Sequence, residues 1–146
     1  MTNVLTFGSA EPDVVYTERQ AAYAVIVTAE GRVAAVKGGD KYFLPGGGSL
    51  PNEGPGDTIL REVREELARN ARLVCRIGEA VQYFYAATEK RHYRMRAVFF
   101  TAELTDESSE FAEHDLCWLP VAEAERAFFH QSHAWAARHI PNEGAR

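Results

Sequence analysis

Cysteine is scarce in this chain: only Cys75 and Cys117 occur among its 146 residues. One pair can close at most a single bridge, and nothing else marks a secreted protein, so free thiols in small core positions are expected. Neither cysteine has the basic surroundings that would nominate a nucleophile. Long apolar runs are missing as well, and no stretch reaches membrane-spanning length. Met1–Ala10 lacks a basic start followed by an apolar run, so a cytoplasmic protein without a signal peptide is the expectation. Basic charge is also in short supply. Sixteen Lys and Arg stand against 21 Asp and Glu, for a formal net charge of −5. That balance argues against a protein whose main work is gripping the backbone of a long nucleic acid. It leaves room for a small anionic substrate held by a metal and a few local cations. No internal repeat or low-complexity tract breaks the chain.

What remains is ordinary for a globular protein, with 46% hydrophobic and 25% charged residues. The length suits one domain over residues 1–146, large enough to bury a core without staples. Residues 1–18 read as a lead-in or edge strand, and 141–146 as a tail. Ala22 to Thr28 is apolar and β-branched, so it reads as a buried strand. Glu30-Gly31 gives a turn and Val33 to Val36 its hairpin partner. Gly38-Gly39-Asp40 makes a second turn, followed by a short strand at Tyr42-Phe43-Leu44.

A glycine-rich loop then runs from Pro45-Gly46-Gly47-Gly48 to Gly54, and Pro55 suits the first turn of a helix. Ile59, Leu60, Val63 and Leu67 recur at three- and four-residue spacing, which predicts a helix from Pro55 to about Arg69, ended by Asn70. Two long strands follow, Arg72 to Ala86 and Tyr93 to Glu103, joined through Thr88-Glu89-Lys90. A polar loop spans Thr105 to Glu113, and a short strand at Leu116 to Leu119 precedes Pro120. Val121 to Ile140 reads as one or two helices. The order of elements predicts an α+β fold: a mixed sheet with flanking helices.

The informative stretch is Gly47 to Arg69. Successive helical residues turn by about 100°, so Glu62, Glu65 and Glu66 share one face. Such carboxylates repel one another and weaken a helix in isolation. Taken alone, an Arg-Glu-x-x-Glu-Glu run reads first as a solvated charged face. The alternative is a site for a hard cation, because Mg²⁺ takes oxygen ligands and shares them with substrate phosphates. The glycine loop leads into the same helix, and glycine lets backbone approach a phosphate closely.

This stretch resembles the signature of the Nudix family. Gly47 is followed after five residues by Glu53, and seven more lead to Arg61-Glu62-Val63-Arg64-Glu65-Glu66. Leu44-Pro45-Gly46-Gly47 matches the usual approach to the signature. Ala68 stands where glycine is usual, and Arg69 where an apolar residue is usual. Gly54 replaces the more common small hydroxyl residue before Pro55, which predicts a weaker N-cap.

The resemblance implies an α/β/α sandwich and an Mg²⁺-dependent hydrolase, with Mn²⁺ as a second option, that cleaves a diphosphate linkage in a small nucleotide derivative. It implies Glu62, Glu65 and Glu66 as metal ligands, backbone from Gly47 at metal or phosphate, and a Glu53–Arg61 pair that fixes the loop against the helix. The general base lies in the signature helix or in the later loop, where Glu107, Glu110 and Glu113 are candidates. Glu110 and Glu113 are favoured by their place ahead of Trp118. Tyr83 and Tyr85 alternate onto one strand face, where a ring can stack on a base. The position of Tyr85 is similar to that of a tyrosine in Nudix dinucleoside polyphosphate hydrolases. His92, Arg94 and Arg96 alternate along the next strand and can line a phosphate channel. His130 and His133 lack further ligands, so a surface or capping role is expected of them. A homodimer through strands outside the signature is also implied. A nucleotide-sensing module without chemistry is the competing reading, and RNA-end processing is disfavoured by the acidic balance.

Overall fold

The computed structural model describes residues 4–108 and 111–141. In chain order the strands before the signature helix are β1 (Leu5–Phe7), β2 (Thr17–Val25), β3 (Arg32–Gly38), β4 (Lys41–Phe43) and β5 (Gly46–Gly48). Helix α1 (Pro55–Leu67) leads into β6 (Arg69–Ala86), β7 (Arg91–Glu107) and β8 (Leu116–Pro120). A single 3₁₀ turn, Val121–Glu123, precedes α2 (Ala124–Ala127) and α3 (Gln131–Arg138). Among the described residues no helix is long and apolar enough to cross a membrane.

The larger sheet has the order β1-β6-β7-β2-β5, and β4-β3-β8 form a smaller one. The larger sheet is mixed: β2 runs parallel to β7 and β1 parallel to β6, while the β6–β7 and β2–β5 pairs are antiparallel. Alternation along β2 sorts its side chains between two cores. Ala22 and Ala24 meet Ile59, Val63 and Leu67 of α1. Ala21, Tyr23 and Val25 join Met95, Ala97 and Phe99 of β7 and Ala134, Ala136 and Ala137 of α3. β3 feeds both cores, Val33 and Ala35 into one and Ala34 and Val36 into the other. Helices on both sides of the sheet layer make an α/β/α sandwich, as the signature implies.

Several boundaries differ from the sequence reading for identifiable reasons. β1 makes part of the lead-in an edge strand, and Thr17 and Glu18 already belong to β2. The turn at Glu30-Gly31 exists, but the hairpin parts into separate sheets. Only the Val27–Val33 bridge and neighbouring backbone bonds join its arms. α1 stops at Leu67, because Ala68 adopts left-handed backbone (φ 56) and donates its N–H to Arg64 O. Arg69 and Asn70 therefore open β6, and β7 runs on to Glu107 through pairing that a polar composition hides. At the N-terminus of α1, Asp57 compensates for the missing hydroxyl at Gly54: its Oδ2 accepts the Gly54 N–H at 3.1 Å.

His130 and His133 are not surface residues. They are 4% and 0% exposed, walled in by Phe43, Phe84, Phe128 and Phe129. Cys75 and Cys117 are free and only partly buried, Cys117 against the α3-side core.

Candidate active site

The glycine strand is pinned from three sides. Ala24 N–H donates to Pro45 O at 2.8 Å, and Leu44 N–H donates to His133 Nδ1 at 3.0 Å. Burial holds His133 well below the ordinary histidine range, so it stays neutral and able to accept. From the helix side, Glu66 Oε1 accepts the Gly46 N–H at 2.9 Å. Two glycines approach their neighbours closely here, and at Gly46 no other residue fits. Gly46 has φ 144, and a Cβ on it would lie 2.3 Å from Ala22 O. A Cβ on Gly47 would lie 2.7 Å from Glu62 Oε2.

Arg61 organises the rest. Its Nε and Nη2 grip both oxygens of Glu53 at 2.7 and 3.0 Å. Nη2 also donates to Gly48 O at 3.0 Å, while Nη1 reaches Glu62 and Glu65, each at 3.2 Å. Glu53 further accepts from Leu50 N–H and the Thr58 hydroxyl. These bonds, the Arg61 fork foremost, bring Glu53 down to about 2. The same Glu53 bond leads the causes that raise Arg61. The loop is thus tied to the helix by a planar fork that lysine does not provide.

Glu66 is the most perturbed acid. Burial, opposed by the Gly46 bond and reinforced by the charges of Glu62, Glu113 and Glu65, pushes it up to about 8. Glu62 is also raised, first by burial and against the pull of Arg61. The acid Glu113 comes from the loop after β7, which docks on the end of α1. Glu113 N–H donates to Glu65 O and His114 N–H to Glu66 O, at 3.1 and 3.0 Å. Glu110 lies outside the described residues. Glu107 pairs in register with Arg69 at the far end of β7.

The donor set suits a hard divalent cation. It is all oxygen, Glu66 has a half-buried carboxylate bonded to one backbone N–H, and glycine backbone leaves a cradle beside Glu62 that any Cβ would fill. Among the described residues no three acidic, His or Cys side chains already converge as a ligand set. Arg61 meanwhile engages Glu62 and Glu65.

Beside Glu66, Gly46 and Gly47 opens a cavity of about 700 Å³. Its other walls include Arg19, Tyr23, Phe43, Phe84, Phe129 and His130, with Lys37, Lys41 and Tyr85 also lining it. Of the sequence candidates for substrate contact, Tyr85 is here, 46% exposed and packed on His92. Tyr83, Arg94 and Arg96 do not line this cavity. Tyr83 packs edge-on against Tyr16 and accepts from Arg94 Nε at 3.3 Å. Arg94 also pairs with Glu18, and Arg96 with Glu79. Sequence reasoning missed Arg19, Phe43, Phe84, Phe129 and His130 as cavity residues. Alternation gave no signal for Phe84, because it separates Phe84 from Tyr85, yet both line the cavity.

A half-buried acidic cluster backed by glycine backbone and opening on an aromatic cavity is the equipment of an enzyme that handles anionic substrates through a cation. Residues 17–141 match the NUDIX domain, and the chain belongs to the Nudix family of pyrophosphohydrolases, whose members use divalent metal ions. Similar folds include a Nudix hydrolase from Nitrosomonas europaea, 16% identical, with 84% of this chain and 88% of that one covered at a TM-score of 0.65. The dihydroneopterin triphosphate pyrophosphohydrolase of E. coli is 19% identical, with coverages of 86% and 97% and a TM-score of 0.66. A MutT Nudix hydrolase from Burkholderia pseudomallei is 20% identical, with coverages of 86% and 99% and a TM-score of 0.63. None of the curated proteins matches the chain.

Proposed function

We propose that this protein hydrolyses a diphosphate linkage in a small nucleoside diphosphate derivative, in an Mg²⁺-dependent reaction with water attacking phosphorus. The observation that carries the reading is the juxtaposition of the Glu62-Glu65-Glu66 face, the Gly46–Gly48 strand and the adjoining cavity. Glu62, Glu65 and Glu66 would hold the cation, with Gly47 leaving backbone open to it or to phosphate. When bound, Mg²⁺ neutralises anionic oxygens of the linkage and acidifies water.

The chain's own residues supply the remainder. Arg61 and Glu53 lock the loop, so the carboxylates keep their geometry through turnover. Gly46 N–H orients Glu66. Glu113 is the base we favour among the loop acids: its charge bears on Glu62 and Glu66, and its backbone is anchored to the helix that carries them. The cavity takes the nucleoside end, between Phe43, Phe84 and Phe129. Similar folds bear the names UDP-X diphosphatase and ADP-ribose pyrophosphatase. A diphosphate linkage is common to both names.

The test is a panel of nucleoside triphosphates, dinucleoside polyphosphates and nucleotide sugars, with and without Mg²⁺ or Mn²⁺, and products resolved by chromatography. Mg²⁺-dependent release of a nucleoside monophosphate is expected. Nucleotide binding without turnover under any cation would make the chain a sensor instead.

A further inference from the structure

The cavity wall, beside the glycine strand, holds a cation that the proposed hydrolytic machinery does not use. Arg19, on β2, lines the cavity with its guanidinium 5.8 Å from the centre of the Tyr93 ring. A Cβ built on Gly48 would stand 3.5 Å from its Cζ, which sets the guanidinium against the glycine strand. Arg19 Nε is buried without a hydrogen-bond partner, and among the described residues Arg19 has no carboxylate within ion-pair distance. Tyr23 lines the same cavity, and its hydroxyl donates to Met95 Sδ at 3.6 Å. His130 lines the same cavity, 4% exposed, and its Nδ1 is likewise buried and unpartnered. Its ring packs against Phe84 at 4.5 Å and Phe129 at 4.9 Å between centroids. Burial, and after it the charge of Arg19, keeps His130 neutral.

Unpartnered buried donors are rare because each forfeits its bonds to water. Here the orphaned donor sits in a slot walled by aromatic rings. Such a slot favours a flat heteroaromatic ring, and a guanidinium fork favours an edge with two neighbouring acceptors. The six-oxygen and N7 of guanine or hypoxanthine present that edge, whereas adenine offers an amino donor in place of the oxygen.

We propose that Arg19 is a specificity-determining residue, which selects a 6-oxopurine nucleoside over an adenine nucleoside at the non-reacting end of the substrate. The inference rests on the cavity's taking the nucleoside end. Its test reads binding as well as turnover, so that the two can fail separately.

GMP and AMP are titrated by calorimetry into the full chain without metal, for the wild type, Arg19→Met and Arg19→Lys, and kcat and KM are measured for GTP and ATP with Mg²⁺. GMP should bind the wild type on the order of tenfold or more tightly than AMP. Arg19→Met should close that gap, raising KM for GTP with kcat nearly unchanged. Arg19→Lys keeps the charge but loses the fork, and it should narrow the gap even if the methionine variant fails to fold. Equal binding of GMP and AMP by the wild type, or a gap that survives both substitutions, would overturn the proposal. An Arg19-dependent binding gap with no turnover of any nucleotide would support it while overturning the hydrolase reading. Turnover with no preference between the purines would do the reverse.

Discussion

Replacing Gly46 and Gly47 by alanine, one at a time, should separate folding from chemistry within two adjacent residues. At Gly46 the new Cβ meets backbone: Ala22 O at 2.3 Å and Tyr23 Cα at 2.7 Å, in a φ of 144 that side chains avoid. Backbone cannot swing aside, so strain and overpacking add to about 3 kcal/mol. For a chain of this size that lowers Tm by roughly 6–12 °C. At Gly47 the Cβ meets only the Glu62 carboxylate, at 2.7 Å from Oε2 and 2.8 Å from Cδ. A carboxylate on a flexible stem can rotate away by roughly 1 Å, so stability should change by less than about 1 kcal/mol. The displaced group is a proposed metal ligand, and a shift of about that size should lower kcat on the order of a hundredfold. Thermal melts and steady-state kinetics on both variants make the test. A Gly47→Ala enzyme with wild-type kcat, or a Gly46→Ala protein with unchanged Tm, would refute the reasoning.

Other substitutions probe the frame around the site. Ala68→Gly should raise stability by about 0.5–1 kcal/mol, read in a urea melt, because glycine relieves the left-handed backbone at the end of α1. Its kcat should not move. Glu53→Gln should be less stable than the wild type at neutral pH, and the difference should depend on pH. The folded value of Glu53, about 2, lies below its ordinary 4.5, so its contribution is complete above the ordinary value and lost as pH falls toward the folded one. Melts of both proteins should therefore converge between about pH 4.5 and 2, and a constant gap would count against the pair. Arg61→Lys keeps the charge and loses the fork, and should lower kcat at least about tenfold in the same assay. His130 has the sign of a buried neutral base. Burial brings it down from 6.5 to about 3, so the stability it confers is lost as pH falls through that window. His130→Phe should flatten the decline of urea midpoints over that range.

The helix and its glycine loop were legible because their geometry is local. Glu62, Glu65 and Glu66 share a face by helical periodicity alone, and Glu53 lies just ahead of the helix whose first two turns carry Arg61 back to it. The recognition end was not legible, because it is assembled from distant segments. Arg19 comes from a strand that begins in the apparent lead-in, Phe84 from mid-sheet, and Phe129 and His130 from the junction of α2 and α3. The histidine spacing fits a surface helix as well as a buried one, and only packing against the phenylalanines decides between them. Arg94 and Arg96 were rightly placed by alternation on one strand face. Their partners Glu18 and Glu79 lie on neighbouring strands whose register a single sequence does not show. The end of α1 slipped by two residues because Ala68 takes a conformation usually left to glycine.

The most direct test of the central claim is Mg²⁺-dependent hydrolysis by Glu66→Gln beside the wild type, with nucleoside monophosphate binding measured on both. Glutamine keeps an acceptor for the Gly46 N–H and removes the charge that a cation needs. Turnover should fall on the order of a thousandfold while monophosphate affinity and Tm stay near wild type. Turnover at the wild-type rate, with the same dependence on Mg²⁺, would contradict the account.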